Sequence, residues 1–212
     1  MEKFRGYTGK IAESEVLGET AKPEQEKEMD LESYVTYGQA VDLVQDFQPF
    51  QDSTDPYEKR FPQDVHATLA DFLGLEDFSQ LRYYTAIGSP LDHFHGVDAF
   101  FELDLGNGES VRVTLDMTQN PNKQDYKADV VFQWPREGLS YKDSDDKPFW
   151  EEKVKEVAHQ CLEVFEQKVD LRNFRSLTKE ELEISRQLSE EKRERRLSRS
   201  FNPRKRRLAH AS

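Results

Sequence analysis

Residues 96–118, "GVDAFFELDLGNGESVRVTLDMT", decide how this chain of 212 residues folds. Two runs in which apolar and polar residues alternate, 97–104 and 111–118, flank the short connection "GNG" at residues 106–108. A connection of this kind is typical of a three-residue hairpin loop whose last position, a glycine, is left-handed. The segment therefore predicts two antiparallel strands joined by a tight turn.

The hairpin register predicts that two aspartates face each other. Pairing that is symmetric about Asn107 places Glu102 opposite Arg112, which is a favourable pair, and it places Asp98 opposite Asp116. Aspartate is a poor strand former, and two facing carboxylates are destabilising unless one is protonated or a cation lies between them. Mg²⁺ selects such oxygen ligands, so the pair is a candidate magnesium site.

The alternative for Asp98 and Asp116 is that both are ordinary aspartates at the ends of strands on a solvated face. A slip of one residue in register, or a β-bulge, would separate them. The pattern by itself leaves both interpretations open.

The remaining elements predict an α/β (α+β) fold with a mixed central sheet of about four or five strands flanked by helices. A helix beginning at Pro62 and stopping at Gly74 precedes a strand in "QLRYYTAI". A fourth strand in "ADVVFQWP" precedes a long amphipathic helix over residues 149–169. Ser176 or Thr178 then begins a charged helix with an N-cap signature.

The domain organisation follows from the same pattern. Residues 1–60 form an acidic N-terminal segment, partly disordered or a peripheral helix, in which "YVTYGQAVDLVQDF" is a candidate short helix. Residues 61–172 form the α/β core, and residues 173–212 form a charged helix with a basic tail. Hydrophobic and charged residues make up 35% and 34% of the chain, so a packed core confined to part of it is expected.

Composition also bounds the location. No apolar run reaches the roughly 18 residues that a membrane helix needs, and the first residues lack the apolar stretch of a secretory signal. We expect a cytoplasmic protein without membrane contacts, or a nuclear one if the organism is eukaryotic. The lone Cys161 excludes an internal disulfide, and its apolar neighbours predict a buried thiol.

Charge is unevenly distributed along the chain. The net charge is −12, with a strongly acidic stretch over residues 12–32, yet residues 192–207, "KRERRLSRSFNPRKRR", are rich in arginine. A run of this kind is typical of a nucleic-acid arm or a nuclear localisation signal, and the alternative is a solvated terminus. Nucleic acid is thus the expected partner.

The pair "GVDAFFEL" and "VTLDMT" resembles the two acidic motifs of the PD-(D/E)xK nuclease superfamily, whose core is a helix, three strands, a helix and a strand. Asp98 matches the first acid of the family, and Asp116 matches the second. The resemblance spans about residues 62–169. It implies a restriction-endonuclease-like core and metal-dependent cleavage of phosphodiesters, with both aspartates and the backbone carbonyl of Met117 around Mg²⁺.

The chain departs from the family at the residue that should be lysine, which is Thr118. Members of the superfamily are known to supply this lysine from a neighbouring position, and the candidates here are Lys123 in the following loop and Lys127 at the start of the fourth strand. Loss of the lysine is equally consistent with a catalytically inactive interaction or nucleic-acid-binding protein that retains the fold.

Overall fold

The computed structural model describes residues 9–20, 31–48, 52–56, 58–120, 122, 127–171 and 174–200. The described helices are α1 (Gly9–Leu17), α2 (Tyr37–Phe47), α3 (Arg60–Phe72), α4 (Pro90–His95), α5 (Lys147–Lys168) and α6 (Lys179–Ser200). The strands are β1 (Leu81–Thr85), β2 (Ala99–Gly106), β3 (Glu109–Thr118) and β4 (Val130–Gln133). The predicted α+β fold with a mixed sheet flanked by helices is confirmed, and the sheet has four strands in these parts of the chain.

The sheet has the order β1-β2-β3-β4. The first three strands are antiparallel neighbours, and β4 runs parallel to β3. The PD-(D/E)xK core has a helix between its third and fourth strands. Here the described residues between β3 and β4 contain no helix, and the long helix α5 follows β4 instead.

The predicted hairpin register is confirmed at its centre, where Glu102 is opposite Arg112. The turn itself is tighter than predicted, because Gly106 already pairs with Glu109. Asn107 and Gly108 both have positive φ, at 57° and 68°, as a two-residue hairpin turn requires. A bulge between Asp104 and Gly106 adds one residue to β2 and restores the predicted pairing beyond it.

The two faces of the sheet are covered by different helices. The first face presents Phe101, Leu115 and Phe132, and it packs under α1, α3 and α5 to form the main core. The second face carries Tyr84 stacked on Phe100, and residues of α2 and α4 cover this smaller apolar cluster. The candidate short helix in the N-terminal segment is confirmed as α2.

Several element boundaries differ from the prediction by one to three residues. The strand β2 begins at Ala99 rather than Val97, and Val97 packs in the second cluster beside Phe100. The helix α3 begins at Arg60, two residues before Pro62. Thr178 precedes α6 and exchanges hydrogen bonds with Glu181, so the predicted capping box is confirmed. None of the helices that the structure describes is long and apolar enough to span a membrane.

Candidate functional site

Asp98 and Asp116 lie at the same end of the sheet. Since β2 and β3 are antiparallel, the residue before β2 is next to the last residues of β3. Both aspartates are almost completely buried, with 5% and 4% of their surface exposed. The N–H of Asp98 donates to the carbonyl of Leu115 at 2.8 Å. The chain is therefore still hydrogen-bonded to β3 at Asp98, one residue before β2 begins.

The side chain of Asp98 turns back onto β3. Its Oδ2 accepts a hydrogen bond of 2.7 Å from the backbone N–H of Met117. This N–H belongs to the peptide that joins Asp116 to Met117, so the Asp98 carboxylate lies against the backbone of the second acidic motif. Met117 itself is buried, with its side chain in the main core.

Several carboxylates surround Asp98. The pKa of Asp98 is raised from its ordinary value of 3.8 to about 8, and burial is the largest cause. The charges of Glu13, Asp116 and Asp92 also raise it, and the hydrogen bond from Met117 lowers it. In physical terms, the protein holds Asp98 where its ionised form is poorly hydrated and repelled by three acids.

Glu13 and Asp92 are the members of this acidic group that the sequence analysis missed. Glu13 lies on α1 and, after burial, has the largest effect in raising the pKa of Asp98. Asp92 lies in the first turn of α4. Glu13 belongs to a stretch dense in acidic residues, and nothing in its spacing distinguishes it from the neighbouring glutamates. Its approach to a residue 85 positions away is a property of the tertiary structure alone.

The predicted Mg²⁺ ligands are oxygen atoms, which suit this ion, but their side chains do not form a preformed coordination site. Within the described residues, no group of three or more histidine, cysteine, aspartate or glutamate side chains is arranged to hold a metal ion. The set that the resemblance implies, Asp98 and Asp116 with the backbone carbonyl of Met117, stays a prediction. Oxygen ligands with several retained waters are what Mg²⁺ prefers in proteins.

The two candidate lysines have different outcomes. Lys127 lies before β4, which begins at Val130. Between them, the carboxylate of Asp129 accepts hydrogen bonds from the N–H and hydroxyl of Thr114. The Lys127 ammonium donates to the carbonyl of Phe94 at 3.3 Å. Lys123 lies outside the described residues.

Lys127 is nevertheless held close to the start of β2. Its aliphatic stem lies beside Gly96, where a Cβ on the glycine would be 3.6 Å from Lys127 Cδ. Gly96 is two residues from Asp98. At the family's usual lysine position, the Thr118 hydroxyl accepts from the N–H of Asn120 at 3.1 Å, and the Thr118 carbonyl accepts from the N–H of Trp134 at 2.8 Å. Thr118 thus closes the turn after β3.

The first part of the basic run 192–207 is bound to the rest of the protein. The helix α6 continues to Ser200. Arg193 Nη2 donates to the carbonyl of Asp42 at 2.8 Å, and Arg196 pairs with the buried carboxylate of the same residue. Lys192 donates to the carbonyl of Asn107 at 3.0 Å. These three cations contact α2 and the hairpin, while residues 201–207 lie outside the described residues.

No protein-family model matches this chain, and neither a curated protein nor a solved structure matches it.

Proposed function

We propose that this chain is a metal-dependent nuclease-like protein that binds Mg²⁺ at Asp98 and Asp116 and hydrolyses phosphodiesters of nucleic acid. One observation carries the proposal: two buried carboxylates, Asp98 and Asp116, lie at the same end of the sheet, and the Asp98 carboxylate is hydrogen-bonded to the N–H that follows Asp116. Ionised carboxylates in such a place repel one another unless a cation joins them. Perturbed acids at one end of a sheet are a common feature of catalytic sites.

Each residue has a role in this proposal. When bound, Mg²⁺ supplies charge stabilisation to a phosphoryl oxygen and activates a water. Asp98 and Asp116 provide carboxylate oxygens, and Met117 provides its backbone carbonyl. Glu13, whose charge acts on Asp98, would accept the proton of that water. Lys127 or Lys123 provides the ammonium for which Thr118 cannot substitute, because a hydroxyl carries no charge.

A specific observation favours the alternative, a catalytically inactive interaction or nucleic-acid-binding protein that retains the fold. Thr118 uses both its hydroxyl and its carbonyl in local hydrogen bonds. The Lys127 ammonium donates to Phe94. In this arrangement both acids are retained, and the described contact of the Lys127 ammonium is with a backbone carbonyl.

The test compares the parent with Asp116→Asn in thermal melts with and without Mg²⁺, beside a nuclease assay on single- and double-stranded DNA and RNA. Asp71→Asn, at an exposed position on α3, is the matched control. We expect Mg²⁺ to raise the Tm of the parent and of the control, because a ligand of the folded state stabilises it by mass action. The Asp116→Asn variant should lose both this shift and cleavage.

The outcomes separate three cases. Stabilisation by Mg²⁺ together with cleavage supports the enzyme. Stabilisation without cleavage supports the inactive protein that retains the fold. The absence of both effects in the parent overturns the metal site and leaves Asp98 and Asp116 as structural residues.

A further inference from the structure

A cleft of about 640 Å³ opens beside the acidic end of the sheet, between α1, α3 and the chain that follows β4. Two connections join it to the candidate site. Glu15 and Val16 of α1 line the cleft, while Glu13 of the same helix acts on Asp98. The N–H of Trp134, another lining residue, donates to the carbonyl of Thr118 at 2.8 Å, two residues beyond Asp116.

Aromatic rings form the wall of this cleft. Trp150 is packed edge-on against Trp134, with ring centres 5.9 Å apart, and both are almost completely buried. Tyr141 contacts Trp150 at 5.6 Å between ring centres, and 44% of its surface is exposed. Tyr141 therefore exposes part of its ring to the cleft, and the buried indole of Trp150 packs against that ring.

Two cations lie over the exposed ring of Tyr141. The guanidinium of Arg60 lies 5.8 Å and the ammonium of Lys142 lies 5.5 Å from the centre of the Tyr141 ring. Lys59 also lines the cleft, and the acidic residues of the lining are Glu15 and Glu58. Arg60 is paired with Asp64 at 2.8 Å, so Lys59 and Lys142 are the lining cations that would face the phosphate of an anionic occupant.

Asp64 holds this arrangement in place. Its carboxylate accepts from Arg60 Nε at 3.0 Å and from Trp150 Nε1 at 2.9 Å. One acid thus fixes the guanidinium beside the Tyr141 ring and the indole behind it. A preorganised aromatic surface loses less side-chain entropy when a ligand stacks on it.

We propose that this cleft binds an unpaired nucleotide of a single-stranded nucleic acid, with the base stacked on Tyr141 and a phosphate near Lys142 and Lys59. The inference rests on the proposed function, because it makes the cleft the subsite beside the phosphodiester presented to Asp98 and Asp116. Stacking of bases on aromatic rings next to cations is how single strands are bound without sequence preference. A base in a duplex has no free face to offer, so the substrate class is single-stranded.

Binding of a short single-stranded oligonucleotide to the full chain in the absence of Mg²⁺, followed by tryptophan fluorescence, tests the subsite. We expect Tyr141→Ala to weaken binding roughly five- to hundredfold, the loss typical of one base stack. Tyr141→Phe should retain affinity, because it keeps the ring. The control is Phe72→Ala: this ring is 38% exposed and lies at the opposite end of α3, about 18 Å from Arg60 by helical rise.

The absence of Mg²⁺ from the binding assay separates this proposal from the proposed function, which is tested by the Mg²⁺-dependent shift in Tm and by cleavage. Unchanged binding by a folded Tyr141→Ala variant overturns the subsite and leaves the nuclease proposal intact. Equal competition by polyglutamate, or equal affinity for a duplex, also overturns it, since simple charge attraction would then explain the binding. Lys142→Gln serves as a second test should Tyr141→Ala fail to fold, and unchanged binding there counts against the subsite in the same way.

Discussion

The carboxylate of Asp98 accepts a hydrogen bond of 2.7 Å from the backbone N–H of Met117. This bond favours the ionised form of Asp98, whereas burial and three neighbouring acids oppose it, and the opposing effects win, since the pKa is raised to about 8. The hydrogen bond also attaches the second acidic motif, which contains Asp116, to Asp98 of the first motif through the backbone of Met117. The charge of the first motif depends on pH near neutrality.

The stability of the metal-free protein should fall as pH rises because of Asp98. With a pKa of 3.8 in the unfolded chain and about 8 in the folded one, Asp98 contributes stability that is fully present below pH 3.8. That stability is lost as the pH rises through about 8, because the folded state binds the proton more tightly. Asp98→Asn keeps an oxygen acceptor for Met117 but cannot ionise.

Urea denaturation of both proteins at a series of pH values checks this. The Asp98→Asn variant should have a flatter dependence between about pH 4 and 8, and it should exceed the parent at pH 8. The exposed Asp71→Asn control should retain the slope of the parent. An unchanged slope in Asp98→Asn would show that Asp98 is ionised at neutral pH in the folded protein.

Glu102→Gln should be strongly destabilising. Glu102 is 2% exposed and lies between two arginines of the neighbouring strands, 2.8 Å from Arg82 and 2.5 Å from Arg112. The substitution removes the carboxylate that the largely buried Arg82 contacts, and breaking a buried ion pair typically costs about 3 kcal/mol or more of the free energy of unfolding. Chemical denaturation measures the loss.

The matched control is the same substitution at an exposed ion pair. Glu109 pairs with Lys192 and is 71% exposed, so Glu109→Gln should cost less than about 1 kcal/mol. Equal losses in Glu102→Gln and Glu109→Gln would mean that the buried triad contributes no more than a surface pair.

Gly108→Ala should loosen the contact between the hairpin and α6. At Gly108, φ is +68°, and an added Cβ would lie 2.8 Å from the backbone nitrogen of Ser189. The substitution combines backbone strain with a clash against a helix backbone, so a loss of about 2–4 kcal/mol is expected. Gly138→Ala is the control, since its φ is +78° with nothing within 4 Å of the added atom.

The Gly138→Ala control should lose only the strain of the left-handed conformation, about 1 kcal/mol. Hydrogen exchange should locate the additional loss of Gly108→Ala in the amides of α6. A result in which Gly108→Ala and Gly138→Ala lose the same stability would exclude close packing of the turn on α6.

The salt dependence of nucleic-acid binding should depend on residues 201–212 more than on the cations of α6. Arg193 and Arg196 are paired with Asp42, whereas Arg204, Lys205, Arg206 and Arg207 are removed by truncation after Ser200. If these four cations contact phosphates, the slope of log K against log salt should become less steep by about 3.

The matched variant is Arg193→Gln with Arg196→Gln, measured over the same salt range. The double variant should weaken the contact between α6 and α2 and so lower the Tm. It should change the slope of log K against log salt little, because those cations already have intramolecular partners. Unchanged affinity and slope after truncation would leave the tail as a solvated terminus.

The sequence by itself determined the local parts of this protein. The alternation of residues around Asn107 predicted the hairpin and the pairing of Glu102 with Arg112, because strand periodicity and positive φ at a turn are properties of neighbouring residues. The signature at Ser176 or Thr178 predicted the start of α6 for the same reason, and the structure has Thr178 as the capping residue. The burial of Cys161 followed from its place on the apolar stripe of α5.

Only the tertiary structure decided which elements meet. The approach of Glu13 to Asp98, the pairing of Arg196 with Asp42, and the assembly of Arg60, Tyr141 and Trp150 around one cleft all join residues far apart in the chain. A periodic pattern tells which face of an element is apolar, but it does not tell which other element covers that face. For this reason Asp98 and Asp116 were visible as a motif, whereas Glu13 and Asp92, which also raise the pKa of Asp98, were not.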